Sequence, residues 1–122
     1  MFYEPKKGHG LPRDPFKAMV APRPIGWFTT LNDDGTVGEG PGGCLFILRD
    51  GVFITPDVTS NILESITRGT ILEIGGPLGI PMVERTVGRT ELYLAEEAFY
   101  CGTGQEIMPI TAFDGKPVGT GE

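Results

Sequence analysis

CLFILRDGVFITP, residues 44–56, is two runs of β-forming residues joined by Asp50-Gly51. Glycine tolerates the positive φ that a two-residue hairpin turn needs, and β-type residues flank the turn on both sides. The same signal occurs at Asp34-Gly35 in TTLNDDGTV and at Asp114-Gly115 in MPITAFDGKPVG. Three such turns predict three hairpins and a mainly antiparallel sheet. Residues 98–101 read as a further strand running into the Gly102-Thr103-Gly104 loop. Between the hairpins, Ser65 is placed to cap a helix over about 65–74. Ile66, Ile71, Leu72 and Ile74 give this helix an apolar face. Gly75-Gly76-Pro77 ends it, because glycine is entropically costly in a helix and residues before proline avoid it. A shorter helical turn is expected over about 90–97. The result is an α+β domain: an antiparallel sheet or partial barrel of hairpins, with one main helix whose N-terminus faces a glycine-rich loop.

Trp27, Phe28 and Phe46 are expected to fill the core. Asp33-Asp34 reads as a turn pair and Glu96-Glu97 as a solvated edge. Residues 1–15, which carry Pro5, Pro12 and Pro15, are expected to be irregular.

The chain has 122 residues, enough for one domain with a modest core. Its 19 glycines and 11 prolines approach a disordered composition. The 39% apolar fraction and the β patterning assign those residues to turns instead. A formal charge of −6 gives no basic footprint for nucleic acid. No segment is long and apolar enough to span a bilayer, and MFYEPKKGHG has no apolar signal core. Two cysteines make no disulfide framework, which points to a reducing cytoplasm.

Several linked motifs follow Val37. They are Glu39-Gly40-Pro41-Gly42 followed by LFILRDG, then TSNILESITR, then ELYLAEEAFYCGTGQEIMPI, then DGKPVG. In order and spacing this segment, residues 37–122, resembles the C-terminal part of the class IV aminotransferases that use pyridoxal phosphate, and among them the branched-chain amino acid aminotransferases. The resemblance implies that Glu39 faces the pyridine nitrogen of the cofactor and keeps it protonated, so that the ring serves as an electron sink. It implies that Ser65-Ile66-Thr67, in place of the family's Gly-Ile-Thr, opens a helix whose backbone N–H groups and threonine hydroxyl hold the phosphate. A helix N-terminus suits an anion on independent grounds. Thr103 and Gly104 would add further phosphate and carboxylate contacts.

The departures are as specific. The family's Schiff-base lysine lies upstream of the Glu-Gly-x-Gly motif, and Lys6, Lys7, Lys17 and Lys116 do not occupy its place. The family usually has Asn at Cys44 and Gly at Ser65. Efficient transamination is therefore not expected, because no amine nucleophile stands at the cofactor.

Residues 1–36 carry FYEPKKGHGLP and DPFKAMVAPRPIGWFTTLNDDG. This segment resembles the N-terminus of flavin-reductase-like, FMN-binding split-barrel proteins. That resemblance implies a strand after Ala21-Pro22-Arg23-Pro24, with Thr29-Thr30 near a flavin phosphate. The two resemblances together read as a chimera, one fused domain with its seam near Asp33-Asp34-Gly35.

Two other readings stand beside this one. The first is a small promiscuous ester or phosphoester hydrolase. His9, Cys44 and Cys101 would be its catalytic candidates, or with a carboxylate the ligands of a divalent metal, although no C-x-x-C or H-x-x-x-H spacing marks such a site. The second is a foldable chimera with no ligand. All three readings share an expectation of self-association into a homodimer or higher oligomer. Exposed strand edges and apolar area would be covered that way.

Overall fold

The computed structural model describes residues 31–40 and 42–119. Trp27, Phe28 and the strand expected around them, together with His9, lie outside these residues.

Strands β1 (Cys44–Arg49) and β2 (Val52–Thr55) form the hairpin around Asp50-Gly51, and both turn residues have positive φ. Helix α1 (Ile66–Gly75) and strand β3 (Met82–Glu84) follow. A 3-10 turn over Arg89–Leu94 then leads to β4 (Glu97–Gly102) and β5 (Glu106–Ile110). These strands form one sheet in the order β3-β2-β1-β4-β5. The third Asp-Gly turn makes a small separate ladder of β6 (Ala112–Phe113) and β7 (Lys116–Pro117). The first, at Asp34-Gly35, closes with the single bridge Leu31↔Val37.

The fold class is α+β, as the sequence predicts, with one finer difference. The β2–β3 pair is parallel, so the sheet is mixed. The cause is the connection: β2 reaches β3 through α1, and a crossover of that length returns the chain in the same direction. The sheet is open rather than a barrel, with β3 and β5 at its edges.

The two faces of the sheet bury different sets of residues. Leu45, Ile47, Ile54, Ala98, Tyr100 and Ile110 share one core with Val37, Val87, Leu92 and Phe113. Cys44, Phe46 and Cys101 form the other, under Ile71 and Leu72 of α1. There Phe46 stacks on Phe99 at 5.0 Å, and Phe53 meets Phe99 edge-on. The buried stripe of α1 runs through Arg68, Ile71, Leu72 and Gly75. This corrects the expected apolar face, since Ile66 is 87% exposed and Ile74 is also exposed. At 100° per residue, positions 68, 71, 72 and 75 follow the i, i+3, i+4, i+7 rule. Two of those four are a charged residue and a glycine, so the apolar pattern pointed elsewhere. Gly75 gives room to Met82, since a Cβ there would meet Met82 Sδ at 2.5 Å and displace that side chain.

The hairpin also sets which way the backbone of β1 faces. A two-residue turn closes on a hydrogen-bonded pair, here Arg49↔Val52, so Ile47 and Leu45 also face β2. In that register Leu45 lies opposite Pro56, which has no N–H, and Thr55 Oγ1 donates to Leu45 O instead at 2.7 Å. Cys44, Phe46 and Leu48 therefore face β4, and Leu48 O accepts from Glu96 N at 2.8 Å.

Candidate functional site

An open cleft of about 390 Å³ lies at the end of β1 and β4, beside the start of α1. Three separate segments line it: Glu39 with Gly42, Gly43 and Cys44; Leu63 to Ile66; and Gly102, Thr103 and Gly104. Glycines build its floor. Gly40 and Gly43 bond each other across a tight turn, N to O at 3.0 and 3.3 Å, and Gly42 within that turn has φ +82°. A Cβ on Gly102 would come within 2.8 Å of Gly42 O, and one on Gly40 within 2.6 Å of the Tyr100 ring and hydroxyl. The backbone at Gly40, Gly42 and Gly43 thus lies directly against β4.

The helix reaches this cleft through its cap. Ser65 is extended, and its Oγ accepts from Arg68 N at 3.3 Å. Ser65 and Ile66 bring the start of α1, where a helix carries partial positive charge, to the edge of the cleft. Arg68, which sequence reasoning passed over, holds that end of the helix in place. Its side chain is 6% exposed, and Nη2 donates to Pro56 O at 2.9 Å and pairs with Glu84 Oε1. One guanidinium therefore ties α1 to the ends of β2 and β3. The signal that could have found it is position 68 on the inward stripe, seven residues before the buried Gly75.

The expected site residues fall into three groups. Glu39, Ile66, Thr103 and Gly104 meet at the cleft, joined by Cys44. Glu39 Oε2 accepts from Leu63 N at 3.1 Å, which fixes the carboxylate against the segment leading into α1. Thr67 is half-buried one residue into the helix and does not line the cleft. Cys101 lies opposite Cys44 in the ladder and is fully buried. Burial pushes the Cys44 thiol up, the nearby Glu39 charge adds to this, and Arg68 opposes it. Burial likewise pushes Cys101 up to about 11. Both thiols stay protonated at neutral pH. Among the described residues, no three His, Cys, Asp or Glu side chains gather to hold a metal ion. No helix among them is long and apolar enough to cross a membrane.

The description of the amino-transferase class IV family matches residues 25–113, a span that begins before Val37. The branched-chain-amino-acid aminotransferase of Pseudomonas aeruginosa is 45% identical over 91 residues, covering 75% of this chain and 29% of that protein. The Escherichia coli branched-chain-amino-acid aminotransferase is 44% identical over 91 residues, with the same coverages. Among solved structures, the branched-chain aminotransferase of Thermoproteus uzoniensis with norvaline superposes with a TM-score of 0.73 at 48% identity, over 76% of this chain and 31% of that one. The pyridoxal phosphate form of the Thermobaculum terrenum enzyme gives 0.71 at 52% identity, over 75% and 30%. The chain thus spans about 30% of the length of the relatives it matches. Sequence and backbone each match over about three quarters of the chain, and the chain belongs to the class IV aminotransferase family.

Proposed function

We propose that this chain carries the cofactor-cradling part of a class IV aminotransferase. It binds pyridoxal phosphate, or phosphate alone, in the cleft and does not transaminate efficiently. The observation that supports this reading is the convergence of Glu39, the capped start of α1 and Thr103-Gly104 on one cleft. The cleft volume suits a small cofactor, since such sites span about 300–1,000 Å³. The donor set suits the cofactor's two ends. The α1 N–H groups and the Thr103 hydroxyl would hold the phosphate, with Thr67 behind them, and Glu39 would face the ring nitrogen. When bound, pyridoxal phosphate supplies an electron sink for the substrate's amine-bearing carbon. The missing element is an amine. Lys116 lies over the Tyr93 ring at 4.6 Å, and no lysine lines the cleft among the described residues.

Electrostatics set the expected affinity. Among the described residues, the lining carries Glu39 and Glu64 and no cation. A helix N-terminus favours an anion by about 0.3–1 kcal/mol when exposed and up to ~2 when partly buried. These contributions fall short of the about −4.1 kcal/mol of a ~1 mM Kd, so binding is expected to be millimolar or weaker. Thermal unfolding with inorganic phosphate, pyridoxal phosphate and pyridoxal tests the proposal. Phosphate and pyridoxal phosphate should raise Tm, and pyridoxal alone should not. A Tm unmoved by either phosphate compound would overturn it.

The chimeric origin belongs to the same proposal. Residues 1–36 come from a flavin-reductase-like protein and are fused into one domain with the rest. The class IV match runs from residue 25 and so takes in residues 25–36 of that segment. The flavin site stays incomplete in this reading, so FMN fluorescence should be unchanged by the protein. Self-association is its further element, supported by exposed Leu63 and Ile66 at the cleft's lip and by exposed Ile107 on edge strand β5. Light scattering at rising concentration tests it, and a monomer throughout would refute it. No observation favours the hydrolase reading.

A further inference from the structure

The chain has two cysteines, and the fold sets them face to face. Cys44 and Cys101 are direct partners in the β1–β4 register, both free, both buried, and in the same small core under α1. The backbone of Cys44 faces β4, so the two form a hydrogen-bonded pair, whose Cα atoms stand about 5.5 Å apart. That separation lies within the Cα range of about 4.4–6.8 Å that a disulfide spans, while the Cβ atoms of such a pair, about 5.5 Å apart, must close by roughly an ångström, which makes the bond strained and easily reduced. Cys44 also lines the open cleft, which gives a small solute a path to a thiol that is otherwise covered. Its Sγ now lies 3.6 Å from Leu63 O, to which it donates.

We propose that Cys44 and Cys101 are a peroxide-reactive dithiol that closes into a reversible cross-strand disulfide. The oxidant is hydrogen peroxide or a small organic hydroperoxide entering by the cleft. The Cys44 sulfur attacks the peroxide O–O bond, giving a sulfenic acid and one water or alcohol. The Cys101 sulfur then displaces hydroxide from the Cys44 sulfur, forming the S–S bond and a second water. Two thiols lose two protons and two electrons, and one peroxide is reduced. Closure removes the thiol proton that Cys44 gives to Leu63 O, so oxidation loosens the segment leading into α1. Reaction runs through a small thiolate fraction, because burial and the Glu39 charge hold Cys44 protonated, while Arg68 and the Ser65 side chain oppose them. Below its pKa, that fraction and the rate rise about tenfold per pH unit.

The test uses the full chain and needs no cofactor, so it stands or falls apart from the phosphate-binding proposal. The protein is exposed to hydrogen peroxide, unfolded without reductant, alkylated and weighed. The expected product has lost two hydrogens, accepts no alkyl group, yields a crosslinked Cys44–Cys101 peptide, and regains both thiols with dithiothreitol. In Cys101→Ser, Cys44 should stop at a sulfenic acid that dimedone traps. Persistence of both thiols in the wild-type chain, conversion to sulfinic acids, or crosslinking only between chains would each overturn the proposal.

Discussion

Alanine at Gly102 is a sharp probe of how the cleft is built. A Cβ at this position would lie 2.8 Å from Gly42 O and 3.5 Å from Gly43 Cα. Ordinary C···O contacts sit at about 3.3–3.6 Å, so the strands would have to part by roughly half an ångström. The obstacle is backbone, and it cannot swing aside, because the 40–43 turn is closed by its own two hydrogen bonds. Overpacking of this kind costs about 1–3 kcal/mol. Alanine also reduces the entropy of the unfolded chain, which returns about 0.4–1 kcal/mol. The net loss, roughly 1.3 kcal/mol at the middle of these ranges and up to about 2.6 kcal/mol, corresponds to a Tm drop of about 5 °C and up to about 15 °C for a domain of this size. Gly104 is the matched control. It lies two residues on in the same loop, its Cβ would meet nothing within 4 Å, and its φ is not positive. Gly104→Ala should leave Tm unchanged or slightly raised. Thermal unfolding of the two variants side by side is the assay. Equal Tm values would refute the close approach of the Gly42 and Gly43 backbone to β4.

Other consequences follow from the anchors of α1 and from the buried acids. Arg68→Ala should lower stability by about 3 kcal/mol or more, because it leaves Pro56 O without its donor and empties a buried stem. Glu84→Gln should cost about 1–3 kcal/mol in a urea titration, less than Arg68→Ala because that carboxylate is half in water, yet leaving the buried guanidinium without its counter-charge. Ser65→Ala removes the cap on Arg68 N and should cost about 1 kcal/mol, read by thermal unfolding. Alkaline pH should destabilise the fold. Cys101 is raised from 9.0 to about 11, and burial also raises Cys44 and Tyr100. A raised folded-state pKa gives stability that is complete below the unfolded value and is lost as pH climbs above it. Each such group then removes up to about 1.4 kcal/mol per pH unit. Tm should fall between pH 9 and 11, and Cys101→Ala should flatten that fall; an unchanged slope would contradict the burial of this thiol.

Local chemistry made much of the fold readable. The Asp-Gly pairs mark their turns because so few residues accept positive φ. The Ser65 cap and the glycines after Ile74 bound α1 to within a residue at each end. What eluded the sequence depends on distant parts of the chain. The parallel β2–β3 pair follows from where the crossover lands. The inward face of α1 is set by Arg68 and Gly75, whose partners Glu84 and Met82 arrive later in the chain. The site was legible as residue types, since Glu39, Ile66, Thr103 and Gly104 do share a cleft. Its floor was not, because a glycine shows its need only when Tyr100 or Gly42 is seen pressed against it. Thr67 counted equally with Ile66 in the motif, yet the turn of the helix brings Ile66 to the cleft and not Thr67.

The two carboxylates of the cleft allow the proposed ligand roles to be separated. Glu64 is exposed on the lining, and Glu39 is held by Leu63 N. Both repel a phosphate, and at several ångströms near a screened surface each contributes on the order of 0.5–1 kcal/mol of repulsion. Glu64→Gln should therefore tighten inorganic phosphate and pyridoxal phosphate alike, by about two- to fivefold. Glu39→Gln should tighten inorganic phosphate by a similar factor, because that ligand meets only the lost charge. For pyridoxal phosphate the same substitution also removes the partner of a protonated ring nitrogen. A charged hydrogen bond of that kind is worth about 1.5–3 kcal/mol, so the net effect should reverse to weaker binding. Calorimetric titration of both ligands against both variants gives four changes, of which one alone has the opposite sign. If Glu39→Gln tightened pyridoxal phosphate as it tightens phosphate, Glu39 would be a solvated loop carboxylate and the cleft a phosphate site with no ring partner.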